Sequence, residues 1–251
     1  ELGVLVLMFV AGLEVDLAGM LRTGRVATFA GVLGVVVPLI GGVSLALALG
    51  RTPTEAIFVG IVLTATSVSI SAQTLMELGV LQTSVGLALL AAAVVDDVLV
   101  ILILSVFLAF AEGGDGGAAR IAVVAVKMAG YLAGAVVIGR TVLRRSLNRM
   151  AEFPVSEGAL ASSLVVMLLY AWSAEVLGGV AAITGAFLAG LFMADSALAE
   201  RIEGRVHALA YSLLVPIFFV SVGLDADLTE LGADMWPYAI GLILVAIVAK
   251  V

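Results

Sequence analysis

The chain has 251 residues, 63% hydrophobic and 12% charged, with a mean hydropathy of +1.26. A soluble domain is about half apolar and about a quarter charged, so this composition excludes a water-soluble fold and makes lipid the solvent. With only 12 Lys and Arg against a formal charge of −7, no cysteine, and His207 as the one histidine, the chain lacks a nucleic-acid footprint, a disulfide framework, Cys/His zinc ligands and a Ser-His-Asp triad; an enzyme is not expected.

A spanning helix needs about 20 mostly apolar residues. In chain order the candidates are Leu2–Leu13, Val26–Leu49, Thr54–Leu75, Ser84–Ala111, Ala118–Val142, Gly158–Leu177, Val180–Ala194, Ala208–Leu224 and Trp236–Val251. The first and last are partial: the chain starts at Glu1 and stops at Val251 inside apolar runs, so a single, incomplete membrane domain is expected. The seventh is short, which predicts a tilted or protein-buried helix. Breakers and charges mark the loops at Arg51-Thr52-Pro53, Glu112–Gly117 and Arg140–Glu157.

Cationic residues favour the cytoplasmic side. Alternate loops carry Arg22, Arg25, Arg140, Arg144, Arg145, Arg149, Arg201 and Arg205; the intervening loops carry only Arg51 and Arg120. This asymmetry sets the first span running from outside to inside. Lys127 and Lys250 lie within spans.

Two segments resemble each other, Leu7–Leu17 (LMFVAGLEVDL) and Phe218–Leu228 (FFVSVGLDADL). They lie in the first and eighth spans, an offset of seven, so the copies enter the membrane in opposite senses. An inverted-topology repeat is the architecture of many secondary transporters, and it predicts that counterparts of the third and fourth spans follow Val251.

Charges within a span cost at least a few kcal/mol each. Asp96 and Asp97 stand at the centre of the fourth span, about 18–20 Å from its start by helix rise, between flanks without a charge. Neighbours on a helix point about 100° apart, so the two carboxylates serve different tasks. The third span holds Thr64, Thr66, Ser67, Ser69, Ser71 and Gln73. Hydroxyls at this density compete for backbone hydrogen bonds and help unwind a helix. Unwound backbone at membrane depth is tolerated where it lines a cavity. The freed oxygens suit a small hard cation; interhelical hydrogen bonding is the other reading. Lys250 lies roughly 20 Å past the interfacial Trp236, where its ammonium needs a carboxylate from the Asp pair or else snorkels to the surface. Lys127 either lines a substrate path or snorkels. Gly130-x-x-x-Gly134 and Gly185–Gly190 read as close helix packing, Pro38 and Pro216 as kinks, and His207 as a solvated loop residue. Asp225, Asp227, Glu230 and Asp234 form an acidic outer loop without the rest of an EF-hand pattern.

Phe9–Glu14 (FVAGLE), Thr64–Gln73 (TATSVSISAQ), Ala92–Asp97 (AAVVDD) and Phe218–Asp225 (FFVSVGLD) resemble the cation:proton antiporters, in particular the bacterial sodium/proton antiporter (NapA-like) branch. The resemblance implies an all-α polytopic fold with an inverted repeat, truncated here at both ends. It implies two discontinuous helices, one over Thr64–Gln73 and one beyond Val251. It implies that Asp97 binds the ion or proton, with Thr66, Ser67 and Ser69 beside it, and that Asp96 pairs with Lys250. Sodium, with lithium as a second cation, would exchange for protons without a resident cofactor, in a homodimer in the bacterial inner membrane whose core domain moves against a dimerisation domain. Potassium-efflux relatives carry a single Asp preceded by Gln at this point, so the Asp-Asp pair favours electrogenic sodium/proton exchange. Potassium/proton exchange is the alternative, and a cation channel or a non-transporting scaffold is the reading from another class.

Overall fold

The computed structural model describes residues 2–15, 17–111, 117–143, 156–194, 196, 199–225 and 236–250. Among them there are helices and no strands: α1 (Leu2–Glu14), α2 (Leu17–Arg22), α3 (Gly24–Ala48), α4 (Pro53–Thr64), α5 (Val68–Glu77), α6 (Ser84–Ala111), α7 (Gly117–Ile138), α8 (Ser156–Ser173), α9 (Ala182–Met193), α10 (Ala199–Leu209), α11 (Val215–Asp225) and α12 (Trp236–Lys250). In hydrocarbon each backbone polar group must be satisfied inside its own segment, which leaves the helix as the only open-ended solution. Among the described residues, five helical stretches are long and apolar enough to cross a membrane: Gly24–Ala48, Ser84–Leu108, Ile121–Thr141, Gly158–Gly178 and Ile202–Leu224. Leu2–Glu14, Pro53–Thr64, Ala182–Met193 and Trp236–Ala249 are shorter apolar helices.

The chain forms two compact units. The first comprises Glu1–Thr23, Val68–Leu90 and Val126–Asp225. Its centre is α1 packed on α9. In α9 every residue from Thr184 to Met193 is buried, so the short seventh segment is a protein-enclosed helix. A helix apolar on all sides is one with protein on all sides. Reciprocal glycines make the contact close: a Cβ on Gly12 would run into the Phe187 carbonyl oxygen, and one on Gly190 into the Phe9 carbonyl oxygen. Gly185 meets the Tyr170 carbonyl of α8 in the same way, and Gly3 meets that of Leu214. The packing expected of Gly185–Gly190 is therefore present. It is absent at Gly130 and Gly134, where a Cβ would meet nothing within 4 Å; spacing alone cannot tell a packed small-residue face from an open one.

Three helices of this unit continue into single π-helical turns, Gly139–Leu143 after α7, Ala174–Gly178 after α8 and Ala210–Leu214 between α10 and α11. Pro216 falls in the first turn of α11, directly after the third. A wide turn releases carbonyls from the i→i−4 ladder, which is where a proline lacking an N–H is accommodated.

The second unit comprises Gly24–Ser67, Ala91–Ala125 and Ala226–Val251, with α3 as its common wall. Gly50 turns the chain at φ +78°. Thr52 then caps α4 in a reciprocal box: the Glu55 amide donates to Thr52 Oγ1 at 3.4 Å, and the Thr52 amide donates to Glu55 Oε2 at 3.0 Å. Pro53 occupies the first turn, where its missing N–H has no intrahelical acceptor to lose. Hence α3 and α4 form a hairpin closed by the approach of Gly42 to Gly60. On another side α3 receives α12, with Gly41 against Val245 and Gly241 against Leu45. The Arg51 guanidinium lies 5.3 Å from the Tyr238 ring centroid at the same end. A third face receives α6, with Gly31 against the Ala92 carbonyl and Val95.

Gly190→Val should lower the stability of the protein in detergent by about 1–3 kcal/mol or more, because backbone lies where the new side chain must go. Gly204→Ala, at an open helical site, should raise it by about 0.5–1 kcal/mol through helix propensity. Thermal melts of the two variants against the parent check both signs.

Candidate functional site

The span over Thr54–Leu75 is broken. Helix α4 ends at Thr64, three residues are non-helical, and α5 begins at Val68. The hydroxyls explain the local preference. Thr64 Oγ1 donates to the Ile61 carbonyl at 2.5 Å, and Thr66 Oγ1 donates to the Thr64 carbonyl at 3.1 Å. Ala65 closes α4 with a tight bond from its amide to the Val62 carbonyl at 3.3 Å. A hydroxyl that has given its proton to a carbonyl presents lone pairs outward, as acceptors. The negative end of the α4 dipole also points at the break. Thr64 is buried at 1% exposure, Thr66 is half-buried and Ser67 is exposed. Ser69 lies in the first turn of α5, in the other compact unit, and its side chain is outside the described residues.

Asp96 and Asp97 stand halfway along the 28-residue α6. Asp96 is 6% exposed and Asp97 half-buried, so the neighbouring carboxylates occupy different environments, as the angle between successive helical residues requires.

Helix register brings these features to one level. All residues rise by about 1.5 Å, so positions can be counted along α3 from its contacts. From Gly60 opposite Leu39 and Val43, the end of α4 at Thr64 comes level with Val37 and Pro38. From Val245 opposite Gly41, the end of α12 at Lys250 comes level with Val36. From Ala92 and Val95 opposite Gly31, Asp97 comes level with Val35. The Phe58 and Phe107 rings, 5.9 Å apart, independently fix α4 and α6 in the same register. The diacid, the broken helix end and the backbone of Lys250 therefore fall within about one turn of α3, roughly 5 Å. The Lys250 side chain is outside the described residues, as are residues 226–235 with Asp227, Glu230 and Asp234. Among the described residues no group of three or more His, Cys, Asp or Glu could hold a metal ion; a cation here would rely on hydroxyl and carbonyl oxygens beside a carboxylate.

Lys127 proves to be engaged: its Nζ donates to the Val176 carbonyl of the π turn after α8 at 3.2 Å. Nearby, the Tyr131 and Ser173 hydroxyls lie 3.0 Å apart, Tyr131 donates to the Tyr170 carbonyl at 3.0 Å, and Tyr170 donates to the Ala135 carbonyl at 3.3 Å. Sequence spacing does not reveal these cross-helix bonds, since no i,i+4 pattern links α7 to α8.

A polar group also closes the end of α1. Glu14, the residue after the apolar Leu2–Leu13 run, is half-buried, and the Gln82 side-chain amide donates to its carbonyl oxygen. Desolvation raises the Glu14 carboxyl above the usual range, His207 opposes that rise, and Glu203 adds to it. The expectation of a solvated His207 is met in part: it is exposed, yet its ring stacks on Tyr211 with centroids 4.3 Å apart.

Long apolar helices, one broken inside an apolar span and one carrying two neighbouring carboxylates at its middle, define a polytopic membrane protein. The whole chain, residues 1–251, matches the family described as sodium/hydrogen exchanger, transmembrane, and it belongs to that family. It is 34% identical over its full length to the probable Na(+)/H(+) antiporter GerT of Bacillus cereus, covering 65% of that protein. It is 34% identical to the Na(+)/H(+)-K(+) antiporter GerN of the same organism, covering 63%. With an Na(+)/H(+) antiporter of Enterococcus hirae it shares 33% identity, covering 65%. The chain thus spans a little under two thirds of the length of these curated relatives.

A carboxyl whose folded pKa is raised binds its proton more tightly in the folded state. Its effect on stability is therefore unfavourable once pH climbs above the unfolded value, and stability falls as pH rises from about 4.5 through the raised value. Glu14→Gln should abolish that part of the slope and raise the melting temperature by a few degrees at neutral pH, while His207→Gln should push the sloping region upward. Melts from pH 4 to 8 on both variants measure this.

Proposed function

We propose that the full-length protein exchanges a monovalent cation, sodium or lithium, for protons by alternating access in the bacterial inner membrane, as a homodimer. The observation that carries this reading is the level of α3 at which the buried Asp96, its half-buried neighbour Asp97 and the oxygen-lined end of a broken helix coincide. A carboxylate there binds a proton or a sodium ion, and not both. If the site crosses only when loaded with one or the other, movement of the two is coupled in opposite directions. Asp97 is assigned as the shared ligand, with hydroxyl and carbonyl oxygens of the Thr64–Ser67 break, Thr66 and Ser67 in particular, completing the sodium shell. Asp96, the more buried carboxylate, is assigned to Lys250.

Potassium exchange is the second reading, favoured by the 34% identity to a relative named as an Na(+)/H(+)-K(+) antiporter. Proton flux in proteoliposomes of the full-length protein, driven in turn by sodium, lithium and potassium gradients, decides between them. Flux at carrier rather than channel rates separates both from a pore, and no flux at all would indicate a scaffold. Asp97→Asn should reduce coupled proton movement to the level of empty liposomes while leaving the melting temperature nearly unchanged. Retention of more than a small fraction of exchange removes Asp97 from the site.

The pair assignment has its own test. Asp96→Asn and Lys250→Gln should each leave one uncompensated charge at membrane depth and destabilise the protein by several kcal/mol. The double variant should recover part of the loss, with a coupling of about 1–3 kcal/mol in a thermal double-mutant cycle. Additive losses would place the lysine elsewhere.

A further inference from the structure

Helix α5 carries two acceptors that are each unfavourable where they stand. Gln73 is half-buried; its Nε2 donates to Glu77 Oε1 at 2.8 Å, while its own Oε1 is buried without a hydrogen-bond partner among the described residues. The reverse orientation of the amide would set its oxygen against the carboxylate and bury the donors instead, so Glu77 fixes which end of the amide turns inward. Glu77 is the last residue of α5, where the helix dipole is negative and a carboxylate is disfavoured. Among the described residues it is bonded to that amide and to no lysine or arginine. This end of the helix is also held in place. Gly79 turns the chain at φ +66°, and the Gln82 side-chain amide donates to the Glu14 carbonyl oxygen at the end of α1.

An unpaired amide oxygen, a carboxylate and the carbonyl end of a helix lie within about 6 Å of helix rise. All three are acceptors, and one kind of occupant relieves them together: a cation. A water molecule would satisfy the amide oxygen and leave the carboxylate and the helix end uncompensated. Among the described residues no group of three or more His, Cys, Asp or Glu could hold a metal ion, and one carboxylate with neutral oxygens suits a partly hydrated monovalent ion better than a divalent one. The helix also leads to the break. It begins directly after the non-helical residues 65–67, positions 69, 73 and 77 share one of its faces, and the loop-charge asymmetry puts its Glu77 end on the inner side. We infer that the Gln73 amide oxygen and the Glu77 carboxylate form an inner docking station for a monovalent cation, met before the broken helix on the way from the inner face. Its part in transport rests on the exchange reading above; its binding of the ion does not. Gln73 is a ligand, and Glu77 is both a ligand and the group that orients the amide.

The full-length protein in detergent is titrated with sodium chloride, with choline chloride holding the ionic strength constant, and bound sodium is read from sodium-23 line broadening. Asp97→Asn removes the ligand assigned at the broken helix and so isolates the station. That variant should keep its sodium-dependent broadening. Adding Gln73→Met, which preserves length and deletes the oxygen, should reduce it about fivefold or more. Glu77→Gln in the same background should reduce it about as far, which holds the test open if the methionine variant folds poorly. In proteoliposomes Gln73→Met alone should raise the apparent KM for sodium about tenfold and change the maximal rate by less than about twofold. An amide with a packing role alone would instead lower the maximal rate and the melting temperature and leave KM as it was. Broadening that both substitutions leave unchanged overturns the station, as does an Asp97→Asn variant that binds no sodium at all. Absence of cation-driven flux in the parent would remove the exchange reading, and the broadening would still decide the station.

Discussion

A carboxylate placed in the middle of an apolar helix constrains everything around it. Asp96 is 6% exposed within a 28-residue helix that has no other charge apart from Asp97, in a chain that is 63% hydrophobic. Ionised, such a group is tolerated at membrane depth only beside compensating charge or fixed dipoles. The second compact unit interrupts a helix at the same level of α3, and α12 carries the backbone of Lys250 at that level. Each of these features would be a defect alone: a helix broken inside hydrocarbon leaves carbonyls without donors, and a lysine there lacks a counter-charge. The structure places all three within about one turn of α3, roughly 5 Å.

The first compact unit follows a different rule. Lipid chains are as apolar as leucine, so hydrophobicity does not drive one spanning helix against another; close contact does. Gly12 and Gly190 let α1 and α9 approach until each backbone touches the other, and the ten buried residues of α9 follow from that approach. The glycines that turn the chain play another part: Gly50, Gly79 and Gly179 take positive φ, where a side chain would be strained.

Sequence patterns revealed the elements and missed much of the cross-helix chemistry, for a physical reason. The broken helix was legible because hydroxyl density at Thr64–Ser71 is a local cause of local unwinding. Asp96 and Asp97 were legible because charge within an apolar run is costly wherever the helix packs. The short seventh segment announced its burial through length. By contrast, Gly130 and Gly134 share the spacing of a packing face and face open space, because packing is decided by the partner helix and not by the face itself. Lys127 gave no sign of its acceptor, since Val176 lies on another helix, whose register against α7 no periodicity marks. The Arg51–Tyr238 contact likewise joins two loop-proximal residues far apart in the chain.

The π turns tie these observations together. A π turn inserts one residue into a helix and displaces its carbonyls from their usual donors. At Ala174–Gly178 one such carbonyl, that of Val176, accepts from Lys127, and Gly179 then reverses the chain at φ +66° into the buried α9. Val176 lies within the last four helical residues, whose carbonyls have no intrahelical amide to accept from, and the Lys127 ammonium supplies a donor. The turn thus links two things that sequence spacing treats as unrelated: the entry of the chain into the buried α9, and the anchoring of the Lys127 ammonium within its span. Membrane helices can carry such irregularities only where protein satisfies the freed groups, which is why a displaced carbonyl and a lysine with donors to spare occur at the same place.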